Sequence, residues 1–238
     1  MAEGRSGEAG GLVLVTGAAG ALGRAVCAAF AARGDDVAAL DRDAAALEAA
    51  FPGGDIRKVA VDLSDADATA AAVADLSDAA GTPVRVLACI AGGFGMGPQV
   101  EEEDPAEHRR MMEMNFFTAL HAIRAVVPGM RKAGQGCILT IGALAALSGK
   151  AQMGAYCVSK SAVMRLTESL ASELRGSGVR ANCVLPSVID TPANRSAMPD
   201  ADPGQWVRPE QIARTLTFLA HADGDAVHGA LIPLDGGH

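Results

Sequence analysis

Seven short apolar runs alternate with stretches of helical spacing along nearly the whole chain, and this alternation narrows the possible architectures more than any single residue does. The runs occupy residues 12–16, 37–40, 56–61, 84–90, 136–141, 179–185 and 230–234. They are apolar throughout rather than at every second position, so each strand must be covered on both faces. Between them lie helical stretches at 21–33, 44–50, 65–80, 105–132, 154–175 and 209–221, the first with Leu22, Val26 and Phe30 on one face. The pattern predicts an α/β fold, a parallel sheet doubly wound by helices. A chain of 238 residues suits one such domain, here 12–238. Residues 1–11, polar and glycine-rich, read as a loose or disordered leader. Pro128 marks where the long 105–132 helix would break. The irregular stretch 187–208 exceeds an ordinary connection and reads as a lid.

Composition removes several functional classes. A net charge of −8, no basic tract and 3% aromatic residues argue against nucleic acid as a partner. No apolar run approaches the ~18 residues that span a bilayer. Cys27, Cys89, Cys137, Cys157 and Cys183 fall singly, which suits buried reduced thiols in a cytoplasmic protein rather than disulfides or a metal site. His108 and His121 lack metal-ligand spacing and read as solvated or interface residues. Glu101, Glu102 and Glu103 read as a solvated loop and helix start.

Between the first run and the first helix stands Gly17-x-x-Gly20-x-x-Gly23. Glycines at this place let backbone N–H groups and a helix dipole approach a dinucleotide pyrophosphate. No Lys-Ser/Thr follows, which excludes a nucleoside-triphosphate P-loop. The second run ends at Asp41, where a carboxylate accepts two hydrogen bonds from an adenosine ribose and repels a 2′-phosphate. Asp41 or Asp43 could instead cap the next helix, and Arg42 could meet a phosphate. The balance favours NAD(H) over NADP(H). Asp62, closing the third run, stands where an adenine amino group would be capped.

Tyr156 and Lys160 lie four residues apart, on one face of a helix that follows the fifth run. A phenol titrates near ~10, and an adjacent ammonium lowers that value and readies it for proton transfer. Such a pair also arises by chance on helix surfaces, but Tyr156 is the only tyrosine in the chain.

With these features in place the chain resembles the short-chain dehydrogenase/reductase family over nearly its full length. The resemblance is carried in order by Thr16-Gly17, Gly23, Asp62, Ala91-Gly92, Asn115, Tyr156-x-x-x-Lys160, Pro186 and Thr191. It implies a single-domain Rossmann fold with a seven-stranded parallel sheet, assembled as a homodimer or homotetramer. It implies hydride transfer at a nicotinamide, with Tyr156 as acid/base, Lys160 holding the ribose and Asn115 anchoring a water relay to Lys160. The implied cofactor site comprises Gly17, Ala19, Gly20, Leu22, Gly23, Asp41, Asp62, Leu63, Ala91, Gly92, Lys160, Pro186, Ile189 and Thr191, the last two facing the carboxamide.

Three departures from the family pattern carry information. Ala21 replaces a glycine, Ile90 replaces the asparagine before Ala-Gly, and Ala143 stands thirteen residues before the tyrosine, where the family has a catalytic serine. Alanine cannot hydrogen-bond a developing oxyanion, and Thr140 and Ser148 are at other positions. The quinonoid dihydropteridine reductases of the family tolerate this alanine. They are also similar to this chain at Gly20–Gly23, Ala91–Gly93, Leu139-Thr140, Ala145–Leu147, Val184–Pro186 and from Asp190 through Arg195 to Trp206. Asn115 departs the other way, towards ordinary members. The expected activity is therefore NAD(P)H-dependent hydride transfer to an activated cyclic or carbonyl substrate, on the dihydropteridine reductase pattern, with a 3-oxoacyl or general ketone reductase lacking the usual serine and a non-catalytic nucleotide sensor as alternatives. Phe94, Met198 and Trp206 are candidate walls for a flat substrate, and Asn194 and Arg195 bind either its polar edges or the lid itself.

Overall fold

A computed structural model describes residues 11–236, so all but the last residue of the expected leader lies outside the described residues. The strands are β1 (Leu12–Thr16), β2 (Asp36–Asp41), β3 (Arg57–Ala60), β4 (Val84–Cys89), β5 (Gly136–Ile141), β6 (Val179–Pro186) and β7 (Leu231–Leu234). They form one parallel sheet in the order β3-β2-β1-β4-β5-β6-β7. The α-helices are α1 (Ala21–Ala31), α2 (Ala44–Ala50), α3 (Ala66–Ala80), α4 (Pro105–Met112), α5 (Thr118–Ala133), α6 (Gly154–Glu173), α7 (Pro192–Ala197) and α8 (Pro209–Ala220). Among the described residues no helix is long and apolar enough to cross a membrane.

The apolar runs are explained by two cores, one on each face of the sheet. Side chains alternate along a strand. Val13 and Val15 of β1 therefore join Val26, Phe30, Leu216 and Leu219 of α1 and α8, while Leu12 and Leu14 join Val73, Ile123, Val126 and Leu170 of α3, α5 and α6. Phe30 is fully buried, a contribution of about 1.5–3 kcal/mol. Helix ends follow local chemistry. Asp65 accepts from the Asp67 and Ala68 N–H groups at the start of α3, and Gly81, at φ 64°, closes it. Asp43, not Asp41, caps α2 by accepting from Ala46 N–H, which leaves Asp41 available for another role.

Two expectations are corrected. The long helix breaks not at Pro128 but at a π turn, Glu113–Phe117, between α4 and α5. Pro128 stays within α5 because it lies on an exposed face, as does Arg124, whose carbonyl loses its helical donor there. The 187–208 stretch is not irregular throughout: it holds α7, and Ile189 pairs with Val207 in an isolated parallel bridge.

The strand order reverses between β1 and β4, which opens a crevice beyond their carboxyl ends.

Candidate functional site

At the crevice, Gly17 adopts φ 62°, and a Cβ there would lie 2.7 Å from the Ala91 backbone. A Cβ on Gly23 would overlap the Gly17 carbonyl oxygen. Thr16 fixes this close approach, its hydroxyl accepting from the Ile90 and Ala91 N–H groups at 3.0 and 3.1 Å. In front of the turn the space is open: a Cβ on Gly20 would meet only Gly17 O, at 3.4 Å. The N-terminus of α1 has no side-chain cap and no acid in its first turn. An uncapped helix start behind an open glycine turn fits a dinucleotide pyrophosphate.

Asp41 and Ala19 are joined: Ala19 N–H donates to Asp41 Oδ2 at 3.1 Å. This anchors the carboxylate beside the turn. Asp62 accepts from Ser64 Oγ and N at 2.7 and 2.9 Å; these bonds, with Arg42 nearby, hold its carboxyl below the usual range. Leu63 is buried, and its carbonyl takes a hydrogen bond from His121 Nδ1 at 2.9 Å. His121 is thus a link between α5 and the β3–α3 connection while remaining partly exposed.

Tyr156 is in the first turn of α6 and Lys160 one turn further on. Asn115, in the π turn, is almost fully buried. Its Oδ1 accepts from Gly93 N–H at 2.9 Å, and its Nδ2 donates to Gly93 O at 3.1 Å and Ser159 Oγ at 3.0 Å. Ser159, a residue the motif reading passed over, donates to Tyr156 O at 2.8 Å. From the π turn Asn115 reaches across to both the loop after β4 and α6. Gly92 completes the junction, since a Cβ there would be 2.5 Å from Asn115 Oδ1 and 3.4 Å from Lys160 Nζ.

Lys160 is 7% exposed and donates to Ile141 O at 3.0 Å. The expected lowering of the phenol by the ammonium is reversed. Burial pushes Tyr156 up to about 12, and burial pulls Lys160 from 10.5 down to about 8. Below pH 8 the folded protein keeps a charge that the unfolded chain carries more easily. Stability should therefore climb with pH between about 8 and 10.5 as only the folded state sheds this proton. The deficit below that window is at most about 3 kcal/mol, so Lys160→Met should raise the Tm at pH 7 by about 5 °C. The advantage should shrink from about pH 8 upward and be gone at pH 10.5. Thermal melts at both pH values check this; an unchanged or lower Tm at pH 7 overturns the assignment of a destabilising buried ammonium.

Ala143 follows β5 in extended conformation (φ −158°, ψ 142°) and is 4% exposed. Its methyl packs with Met164, Cys183 and Leu185, and Tyr156 lies against the same cluster. Neither of the two hydroxyls considered from the sequence replaces the missing one: Thr140 is paired with Thr167 at 2.7 Å and Ser148 is exposed. Phe94, 56% exposed, meets the Tyr156 ring edge-on, centroids 5.0 Å apart.

Pro186 ends β6, and in the 187–208 segment Ile189 packs on the core and the Thr191 hydroxyl accepts from Asn194 N–H at 3.2 Å. Asn194 donates to Ile189 O at 2.7 Å, and Arg195 grips Asp190 at 2.6 and 2.9 Å. Both residues hold the segment to itself, in line with the second of their two expected readings. Trp206 is buried, and Met198 partly so. The indole is thus less open than its place in an irregular segment implied, and it directly precedes Val207 of the Ile189–Val207 bridge.

Residues 11–202 match the family model described as short chain dehydrogenase. The galactitol 2-dehydrogenase (L-tagatose-forming) of Cereibacter sphaeroides is 33% identical, over 96% of this chain and 95% of its own. An inactive 2-(S)-hydroxypropyl-CoM dehydrogenase of Xanthobacter autotrophicus is 35% identical, over 86% of this chain and 95% of its own. A short-chain type dehydrogenase/reductase from Mycobacterium ulcerans superposes with a TM-score of 0.88 at 28% identity, over 95% of this chain and 88% of that one.

Proposed function

The chain belongs to the short-chain dehydrogenase family, and from that premise we propose that it is an NAD(H)-linked reductase whose Tyr156 works without a hydroxyl partner. The observation that carries this reading is Ala143, a methyl buried beside Tyr156 where a second hydrogen-bond donor would polarise a carbonyl. Gly17, Gly20, Leu22 and Gly23 would hold the pyrophosphate, Asp41 the adenosine ribose, Asp62 and Leu63 the adenine. Ala91, Gly92, Lys160, Pro186, Ile189 and Thr191 would line the nicotinamide half. A nicotinamide dinucleotide in that place supplies the hydride. Asp41 supports NAD(H), because its carboxylate is anchored where a 2′-phosphate would be repelled.

Tyr156 gives its proton to the reacting atom. Burial keeps the phenol protonated through neutral pH, which suits a donor in the reductive direction. Lys160 holds a ribose hydroxyl, and Asn115 keeps α6 and the β4 loop in register through Gly93 and Ser159. With one donor in place of two, the substrate must be electrophilic on its own account. A conjugated ring such as a quinonoid dihydropterin meets that requirement, and the exposed Phe94 ring beside Tyr156 offers it a flat contact.

A ketone or polyol reading draws support from the galactitol dehydrogenase, and neither dehydrogenase relative described above is a pteridine reductase. A nucleotide-sensing role draws support from the inactive relative, whereas Tyr156, Lys160 and Asn115 argue against it. Exposed Val158 on α6 and Phe218 on α8 suit a homodimer or homotetramer, and five buried free thiols suit a reducing cytoplasm.

The test is oxidation of NADH and NADPH against quinonoid dihydropterin, 3-oxoacyl thioesters, simple ketones and keto-sugars. Pterin turnover with a preference for NADH is the expected result. Ketone turnover without pterin turnover would reverse the substrate assignment, and a strong preference for NADPH would remove the role given to Asp41.

A further inference from the structure

Glu103 stands among three acids that read as solvated, yet its side chain is only 4% exposed. One carboxylate oxygen meets His108 Nε2 at 2.8 Å, and the other accepts from Ala155 N–H at 3.3 Å. Ala155 is the second residue of α6 and the immediate neighbour of Tyr156. Nothing local does the same work: the residue before α6, Met153, makes no side-chain cap, and the first turn holds no acid. The charge favoured at a helix start is supplied here from the preceding loop.

Two further features fit the chain to this contact. Gly154 has no side chain where a Cβ would stand 2.9 Å from Glu103 Oε2. Gln152 adopts φ 61°, strained for a residue other than glycine. Its carbonyl accepts from Gly97 N–H at 2.8 Å. The loop after β4 therefore clasps the start of α6 at two points, one on each side of Gly154.

We propose that Glu103, oriented by His108, is a positioning residue that fixes the first turn of α6 and with it the direction of the Tyr156 side chain. The proposal rests on the reading of Tyr156 as the proton donor for its functional meaning, but not for its geometry. It gives an unpaired-looking acid and a helix histidine a shared task that the motif pattern does not assign.

Because Tyr156 is the only tyrosine, ring-13C-tyrosine labelling gives one set of aromatic resonances that reports on this side chain without any substrate. In the full-length protein Glu103→Ala should shift or broaden that set, while Glu103→Gln, which keeps an acceptor for Ala155 N–H, should retain most of the wild-type position. Gly154→Ala, which presses a methyl against the carboxylate, should resemble Glu103→Ala and serves in its place if that variant does not fold. With an active substrate in hand, Glu103→Ala should lower kcat about tenfold, with KM and NADH affinity within about twofold. Wild-type tyrosine resonances in folded Glu103→Ala or Gly154→Ala would overturn the proposal. Altered resonances together with full turnover by Tyr156→Phe would leave the positioning role standing and remove the role given to Tyr156.

Discussion

Tyr156→Phe is expected to lower turnover by about a thousandfold while NADH affinity stays within about twofold. The substitution removes one oxygen and little else. The ring keeps its edge contact with Phe94 and its place beside the Ala143 cluster, and the Ser159 hydroxyl bonds the Tyr156 backbone carbonyl, which the change leaves intact. Compensation has no evident source, since the chain has no second tyrosine and Ala143 carries no hydroxyl. The loss should therefore exceed that in a site with a second donor to carry residual polarisation. Steady-state rates and a fluorescence titration with NADH measure the two quantities separately. Turnover within tenfold of wild type would mean that the substrate takes its proton from water, and the acid role of Tyr156 would fall. Absent turnover in both proteins with intact NADH binding would favour the sensor.

The fold was legible because burial writes itself into periodicity. Runs apolar at every position meant strands covered twice, and Leu12 and Leu14 do face one core while Val13 and Val15 face the other. The glycine turn was legible too, since close backbone approach excludes a Cβ whatever the partner. Features that depend on which distant groups meet were not. The π turn at Glu113–Phe117 has no local signal, and Pro128, which has one, is accommodated on an exposed face. Glu103 and its two neighbours are alike in sequence, and only the approach of α6 separates a buried carboxylate from solvated ones. Trp206 lies in a loop, yet its indole is buried next to the Ile189–Val207 bridge, a pairing that local sequence does not announce. The direction of the Tyr156 shift was misread for the same reason. Spacing on a helix shows that two groups are near, but not that burial outweighs their attraction.

Ala143→Ser should raise kcat/KM for simple ketones by about a hundredfold, the scale of one well-placed oxyanion donor, and leave turnover of a self-activated ring within about threefold. The position is prepared for the change in one respect and opposed to it in another. Its extended backbone places no positive-φ demand on the residue, and the Cβ already lies in the cluster that contains Tyr156. The surrounding Met164, Cys183 and Leu185 side chains, however, offer a new hydroxyl little to bond with. If it stays unpaired in the free protein, burial costs about 1–3 kcal/mol and the Tm falls by a few degrees. Activity towards ketones and thermal stability should therefore move in opposite directions, a pairing that general disruption of the site would not produce. An equal gain for ring and ketone would show that the missing hydroxyl limits every substrate alike, and Ala143 would no longer point to an activated ring. A fall in Tm with no gain for ketones would place the new hydroxyl out of reach of the reacting atom, and the absence of serine would cease to explain the selectivity of the site.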